Sequence, residues 1–371
     1  MSSFSGWSGW SGWSGWSGWS GWSGWSGWSG SVEPAVPDPG LMARVQIKTR
    51  GAQLLPAWQQ RPAWSGQGGG APDGPALRTA YPEMGEAAAL LRWAPPVWAA
   101  TLTQALLSSL RVSREGDTLT VSHTHFTNAQ AASVPLVVMT RPGKEAFAQQ
   151  ARLVLDDAKV RDARFEEILS EVGVPWALWG APVGLQSSRH PRTLELLGCA
   201  LQMTSAMYYR LKHEFACPRP AAYSPLVLPM IDTPGHGSFP SGHSTESFLV
   251  TRILRELVGE GPGSTVGLYL NKVAGGIARN REIAGVHFPV DSQAGRLLGA
   301  TLAEYFIARA TVGAQDWQTR SYIPPDDAAA DRARFDEDAP LSSVTGGSGR
   351  LDAEPMLQEL WKLAHAEWSN A

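Results

Sequence analysis

Four helical patterns follow one another along a single stretch of the chain, between residues 193 and 310. Apolar residues recur there at intervals of three and four, which is the period of a helix that buries one face. The patterns predict helices at residues 193–214, 244–258, 265–283 and 291–310, with Asp291 as the N-cap of the last. Amphipathic helices bury their apolar faces against one another, so this stretch predicts a helical bundle.

The rest of the 371-residue chain shows weaker patterns. Helices are predicted within residues 86–110, with a break at Pro95-Pro96, within 144–172 and at 352–368, and a short strand at 117–121. The expected fold class is therefore all-α, or mainly α. We expect three parts, which are a tail and linker over residues 1–40, a helical domain over 41–320, and a loose tail with a C-terminal helix over 321–371.

Residues 5–30 repeat Ser-Gly-Trp, and a Pro-rich stretch follows at residues 31–40. A period of three matches neither a helix face nor a strand face, and the repeat has no proline to favour a collagen-like helix. The repeat therefore predicts a disordered tail. Membrane-interface adhesion and self-association are open alternatives because tryptophan favours both settings. Two further alternatives are that the repeat has no role and that the chain starts at Met42.

Composition argues against several classes of protein. The formal net charge of −3 gives no reason to expect a nucleic-acid partner. Cys199 and Cys217 are too few for a disulfide framework, so we interpret them as ordinary small apolar residues. We find no apolar run of the ~18 residues that span a bilayer and no signal segment, so we expect a cytoplasmic protein without a transmembrane helix. His123 and His125 have no third ligand nearby, which favours a surface strand over a metal pair.

Three short blocks within the bundle region carry the charged residues of a candidate site. They are Lys212 with Arg219-Pro220, then Pro240-Ser241-Gly242-His243, then a segment from Asn280 to Asp291 that includes Arg281 and His287. Each block alone would be interpreted as solvated cations, a capped loop or a core histidine. Together they supply three cations, two histidines and a carboxylate. That set can hold a tetrahedral oxyanion and transfer its central atom to an imidazole.

The residue types suggest a role for each polar member. The turn at Ser241 and Gly242, just before a helix, presents backbone N–H groups to an anion. His287 can attack phosphorus if Asp291, four residues later, holds the proton on its other ring nitrogen. His243 follows the turn and can give a proton to a leaving oxygen.

The combination resembles the phosphatidic acid phosphatase / vanadium haloperoxidase superfamily, whose signature is KxxxxxxRP, PSGH and SRxxxxxHxxxD. The matching positions, all within residues 190–312, are Lys212, Arg219, Pro220, Pro240, Ser241, Gly242, His243, Arg281, His287 and Asp291. Asn280 stands where the superfamily usually has Ser, at a position that flanks the site. The resemblance implies a helical-bundle fold and makes residues 41–320 a catalytic domain.

The resemblance also implies a metal-independent, acid phosphatase-like phosphohydrolase that needs no cofactor. In that mechanism His287 forms a phosphohistidine, Asp291 orients it, and His243 protonates the leaving group and then activates water. The phosphate oxygens are held by Lys212, Arg219, Arg281 and the amides of Ser241 and Gly242. The partner is a small phosphorylated substrate, and neither its identity nor the oligomeric state follows from the sequence.

A vanadium-dependent haloperoxidase is the alternative that the same resemblance implies. Vanadate would be the cofactor, ligated by His287, and the substrates would be a halide and peroxide. His236, seven residues before His243, lies where bromide-oxidising relatives also place a histidine. A third hypothesis is an interaction protein in which the Ser-Gly-Trp tail is the functional element.

Overall fold

Helices form most of the structure, a computed structural model that describes residues 83–90, 92–127, 130–311, 316–324 and 344–369. The predicted tail and linker at residues 1–40 lie outside these ranges. The helices are α1 (Ala87–Leu90), α2 (Pro95–Ser108), α3 (Lys144–Asp157), α4 (Arg161–Ser170), α5 (Trp176–Gly180), α6 (Pro191–Phe215), α7 (Pro220–Tyr223), α8 (Gly242–Val258), α9 (Thr265–Ile283), α10 (Pro289–Ala310) and α11 (Pro355–Ala366).

The four helices predicted between residues 193 and 310 are α6, α8, α9 and α10, and their ends differ from the predicted ends by at most two residues. One detail of that prediction is wrong, because the N-cap of α10 is Phe288 and not Asp291. Pro289 occupies the first turn, where a fixed φ and a missing N–H favour helix initiation. Asp291 instead lies in the first turn, and its carboxylate accepts the backbone N–H of Phe288 at 2.9 Å.

The central helix of the bundle is α8, which contacts α6, α9 and α10. It approaches α10 closely because two positions on α10 have no side chain. A Cβ atom at Gly299 would lie 2.2 Å from the carbonyl oxygen of Thr245, and one at Gly295 would lie 2.6 Å from that of Ser241. Glycine is therefore required at both positions for this packing, which brings the start of α8 against the start of α10.

A five-stranded sheet packs against α10. The strands are β1 (Leu110–Glu115), β2 (Thr118–Thr127), β3 (Gln130–Thr140), β4 (Asp316–Tyr322) and β5 (Val344–Arg350). They pair in chain order, with β3 and β4 parallel and the other pairs antiparallel. The all-α expectation is therefore corrected, because the fold is mainly helical with a small mixed sheet.

The predicted strand at 117–121 is part of β2, which is twice as long as expected. The interpretation of this segment as a surface strand is wrong for His123, whose side chain is 1% exposed and contacts Tyr305 on α10. Two-residue alternation cannot reveal which face of a strand is covered by a distant helix. In the ranges that the structure describes, no group of three or more His, Cys, Asp or Glu side chains is placed to hold a metal ion.

The C-terminal helix α11 lies within the predicted range of residues 352–368 and packs against α6. Just beyond it, Glu367 accepts the backbone N–H groups of Arg192 at 2.7 Å and Thr193 at 2.8 Å. A carboxylate stabilises a helix N-terminus, so this segment caps α6. In the part of the chain that is described, no helix is at once long enough and apolar enough to cross a bilayer.

Candidate active site

The ends of several bundle helices deliver the predicted site residues to one place. Lys212 lies in the last turn of α6 and Arg219 just before α7, while Arg281 lies in the last turn of α9. His243 follows the turn that begins α8, and His287 precedes α10 by two residues. Helix ends expose unpaired backbone groups, so this junction combines side-chain charges with backbone dipoles.

His287 is buried and held from both sides of its ring. Its Nδ1 atom lies 3.0 Å from Asp291 Oδ2, and its Nε2 atom lies 3.0 Å from Arg219 Nη1. A guanidinium group can only donate hydrogen bonds, so Nε2 must accept the one from Arg219. The ring proton therefore lies on Nδ1, which donates a hydrogen bond to Asp291. Burial lowers the pKa of His287 well below its ordinary value, and the charges of Arg219 and Lys212 lower it further. The ring is therefore neutral, with its lone pair on Nε2.

Asp291 has three hydrogen-bonding neighbours inside the protein. Besides His287 and the Phe288 N–H, the hydroxyl of Ser238 donates to Oδ1 at 3.4 Å. Burial raises the pKa of Asp291 to about 7, while the Phe288 hydrogen bond and the charge of Lys212 oppose that rise. Its backbone carbonyl accepts the N–H of Ser241 at 2.8 Å, which ties the start of α8 to the start of α10.

Arg219 connects His287 with His236. Its Nη1 also donates to the carbonyl of Val286 at 2.7 Å, its Nε donates to the carbonyl of His236 at 3.2 Å, and its Nη2 lies 3.1 Å from His236 Nδ1. Burial lowers the pKa of His236 to about 4, with further lowering by the charges of Lys212 and Arg219. His236 is thus a neutral neighbour of the cation.

Lys212 is 1% exposed, and its ammonium group donates to the carbonyls of Gly237 and Ser238, both at 2.9 Å. Burial lowers its pKa well below the ordinary value, and the nearby charge of Arg219 acts in the same direction. Burial likewise lowers the pKa of Arg219 to about 10. An anion bound between these two cations would relieve the repulsion that destabilises their charged forms.

The Pro-Ser-Gly-His turn forms the start of α8 as predicted, but Ser241 has a different task. Its backbone N–H is donated to Asp291, and its side chain accepts the N–H of Ser244 at 3.4 Å as the N-cap. The first two residues of the helix, Gly242 and His243, therefore supply the backbone N–H groups that this helix start can offer to an anion.

The imidazole of His243 is oriented by a backbone carbonyl. Its Nε2 lies 2.9 Å from the oxygen of Glu171, so Nε2 carries the proton and Nδ1 is left as an acceptor. Burial is the main cause that lowers the pKa of His243 to about 3, and the charge of Arg281 lowers it as the second cause. A positive charge on His243 would lower the pKa of His287 further.

Arg281 is 1% exposed and is held through one of its three nitrogens. Its Nη2 donates to Glu171 Oε2 at 2.7 Å and to the carbonyl of Ile168 at 2.9 Å. Its Nε and Nη1 atoms are buried without a hydrogen-bond partner among the described residues. Buried guanidinium nitrogens without partners are costly, so they indicate a site that an oxyanion would complete.

The predicted site residues are thus brought together, and the structure adds two carboxyl groups that the sequence did not single out. Glu171 contacts Arg281, Asn280 and His243, and Glu246 accepts the hydroxyl of Tyr208 at 2.8 Å on the helix that begins with the Pro-Ser-Gly-His turn. Neither belongs to a motif. Only the cost of burying an acid could have drawn attention to them, and that is not visible in a helical pattern.

Comparison with known families agrees with this geometry. The family model of the PAP2 superfamily matches residues 194–311, a span that contains the three blocks of the site. This region is a PAP2 superfamily domain. Of the residues that contact the site, Glu171 lies outside the PAP2 region and precedes it in the chain.

Two further comparisons add little to the PAP2 match. A search of curated proteins finds no match. Among solved structures, the chain is similar to the crystal structure of the first transmembrane PAP2 type phosphatidylglycerolphosphate phosphatase from Bacillus subtilis, at 17% identity and a TM-score of 0.33. That likeness covers 62% of this chain and 99% of the other, and its TM-score is too low to support an argument.

Proposed function

We propose that this protein is a metal-independent, acid phosphatase-like phosphoric-ester hydrolase that works through a phosphohistidine on His287. The observation that carries the proposal is the pair of 3.0 Å contacts, to Asp291 and to Arg219, that leaves a neutral imidazole with its lone pair on Nε2. Enzymes activate such a nucleophile by holding its second nitrogen against a carboxylate.

The first half of the reaction moves the phosphoryl group to His287. Nε2 attacks phosphorus, the P–N bond forms, the P–O bond to the leaving group breaks, and the leaving oxygen takes a proton. Lys212, Arg219 and the two unpartnered nitrogens of Arg281 would stabilise the charge on the equatorial oxygens. Asp291 would stabilise the positive ring by accepting its Nδ1–H.

His243 would be the proton donor and then the base. The negative charge of the substrate opposes the burial and the Arg281 charge that lower the pKa of His243, and so favours the protonated form needed for the first half. In the second half neutral His243 takes a proton from water through Nδ1. Water oxygen then attacks phosphorus, the P–N bond breaks and inorganic phosphate leaves.

The test is hydrolysis of p-nitrophenyl phosphate by the full chain, with and without EDTA. We expect EDTA-resistant activity that His287→Ala lowers by at least about a thousandfold, because the nucleophile is lost. Brief incubation with labelled substrate, quenched in alkali, should trap label on the wild type and none on His287→Ala. His213→Ala, an exposed histidine on α6, is the matched control and should keep both activity and label.

Vanadate distinguishes this function from the haloperoxidase alternative. It resembles the transition state of phosphoryl transfer, and the same residues, including His287 Nε2, fit it as they fit phosphate. We expect vanadate to inhibit hydrolysis competitively. Bromide oxidation with vanadate and peroxide, in a protein that hydrolyses no phosphate ester, would contradict the proposal and favour the alternative.

A further inference from the structure

Glu171 touches three residues of the site although it lies outside the PAP2 region. It follows the last residue of α4, and its side chain is 1% exposed. One carboxylate oxygen accepts Arg281 Nη2 at 2.7 Å, and the other accepts Asn280 Nδ2 at 2.8 Å. Its backbone carbonyl accepts His243 Nε2–H at 2.9 Å.

The contact with Arg281 decides where that guanidinium points. Glu171 and the carbonyl of Ile168 both bind Nη2, so the group is fixed at one end and its Nε and Nη1 remain unpartnered among the described residues. Because the guanidinium is planar, fixing Nη2 also fixes the directions of the other N–H bonds. A buried charge pair of this kind is costly to break, since removal of one partner leaves the other charge uncompensated.

Asn280 stands where the superfamily signature usually has Ser, and its side chain supports Glu171. Its amide donates to the carboxylate oxygen that Arg281 leaves free. Burial raises the pKa of Glu171, while the charge of Arg281 and the hydrogen bond of Asn280 lower it. The amide thus helps to keep Glu171 ionised, which is the form that pairs with Arg281.

We propose that Glu171 is a positioning residue of the oxyanion site, that it aims Arg281 at the bound oxyanion, and that Asn280 is its supporting partner. The carbonyl of the same residue sets the tautomer of His243, so the segment after α4 orients a cation and a proton carrier together. The proposal rests on the proposed function, because it assumes that an oxyanion occupies the space in front of Arg281.

The test compares Glu171→Gln with Glu167→Gln in the full chain. Glu167 lies one turn earlier, forms a surface pair with Arg164, and is the matched control. For Glu171→Gln we expect kcat/KM for p-nitrophenyl phosphate to fall about 10- to 100-fold, the effect typical of outer-shell carboxylates. The vanadate inhibition constant should rise by a similar factor, because vanadate uses the same Arg281 contact. Glu167→Gln should change neither quantity.

The vanadate constant separates positioning from a merely structural role. A structural role would lower the fraction of active enzyme or the Tm but leave the inhibition constant of the active fraction unchanged. Asn280→Ala provides a milder second variant in case Glu171→Gln does not fold, and its inhibition constant should rise about two- to tenfold, as expected for one lost hydrogen bond. Unchanged constants in the folded variants, in an otherwise active enzyme, would overturn the positioning role alone. An inactive wild type would overturn the proposed function.

Discussion

Glu246 is a half-buried acid on α8, one turn after His243. The hydroxyl of Tyr208 donates to its Oε1 at 2.8 Å. Burial raises the pKa of Glu246 from 4.5 to about 7, although the Tyr208 hydrogen bond and the charge of Lys212 oppose the rise. The carboxyl group of Glu246 ionises at a lower pH in the unfolded chain than in the native one. Its contribution to stability is therefore fully present below pH 4.5 and is lost as the pH rises through 7.

Replacement of this acid by its neutral amide should remove that loss. We expect Glu246→Gln to raise the Tm relative to the wild type, and to do so more at pH 8 than at pH 5. The difference between the two rises should be roughly 2–4 °C, the shift that ~1 kcal/mol causes in a domain of this size. Calorimetry at the two pH values measures the difference. Glu256→Gln, an exposed change on the same helix, should shift the Tm equally at both. The same equality in Glu246→Gln would contradict the raised pKa.

At the scale of single residues, the motifs identified the groups that meet in the site but not those that hold them. His287, Arg219 and Lys212 stand in a fixed order along the chain, which is why they could be found. Glu171 stands close to Glu166 and Glu167 in a pattern that predicts a solvated helix face. It is buried only because α9 contacts α4, a long-range contact that leaves no local trace.

At the scale of elements, the contact between α8 and α10 depends on glycine. We expect Gly299→Ala to destabilise the protein by about 1–3 kcal/mol, because its Cβ would lie 2.2 Å from the Thr245 carbonyl and the two backbones would have to separate. The control is Gly276→Ala on α9, where a Cβ meets no atom within 4 Å. That change should instead stabilise by about 0.4–1 kcal/mol through the unfolded chain.

Urea unfolding of both variants measures these opposite signs. Gly295→Ala extends the comparison to the site, since its Cβ would meet the carbonyl of Ser241, whose N–H bonds Asp291. Gly295→Ala should lower activity by more than the fraction of unfolded protein in that variant accounts for. If Gly299→Ala and Gly276→Ala behaved alike, the close approach of the two helices would be refuted.

Helices were predictable where sheets were not, and the reason is the range of the interactions. The periodicity of α6, α8, α9 and α10 relates residues that are only three or four apart in the chain, so the bounds of these helices can be predicted from the sequence. The strand β3 contains Pro135 beside an irregular pairing, and its parallel partner β4 pairs Val137 with Arg320. A register between such distant residues has no local signature, which is why the sheet was missed.

At the scale of the whole molecule, folding traps several histidines in the neutral form. Burial lowers the pKa of His123 and His236 to about 4 and that of His243 to about 3, from 6.5. The unfolded chain takes up protons on these groups near pH 6.5, and the native chain does so only at lower pH. Stability from them is therefore fully present above pH 6.5 and falls as the pH drops towards 4.

His123 isolates this effect because it lies away from the site, against Tyr305 and Arg309 on α10. After burial, the charges of Arg309 and His125 lower its pKa, and Asp352 acts in the opposite sense. His123→Gln removes one proton from the difference between the two states, so the slope of unfolding free energy against pH should fall by up to about 1.4 kcal/mol per pH unit between pH 6 and 5. Urea unfolding over pH 5–7 should therefore give curves for variant and wild type that converge as the pH falls, since the wild type alone pays for the trapped neutral ring. Parallel curves would mean that the pKa of His123 is the same in the native and in the unfolded chain, which would contradict the burial of its ring against α10.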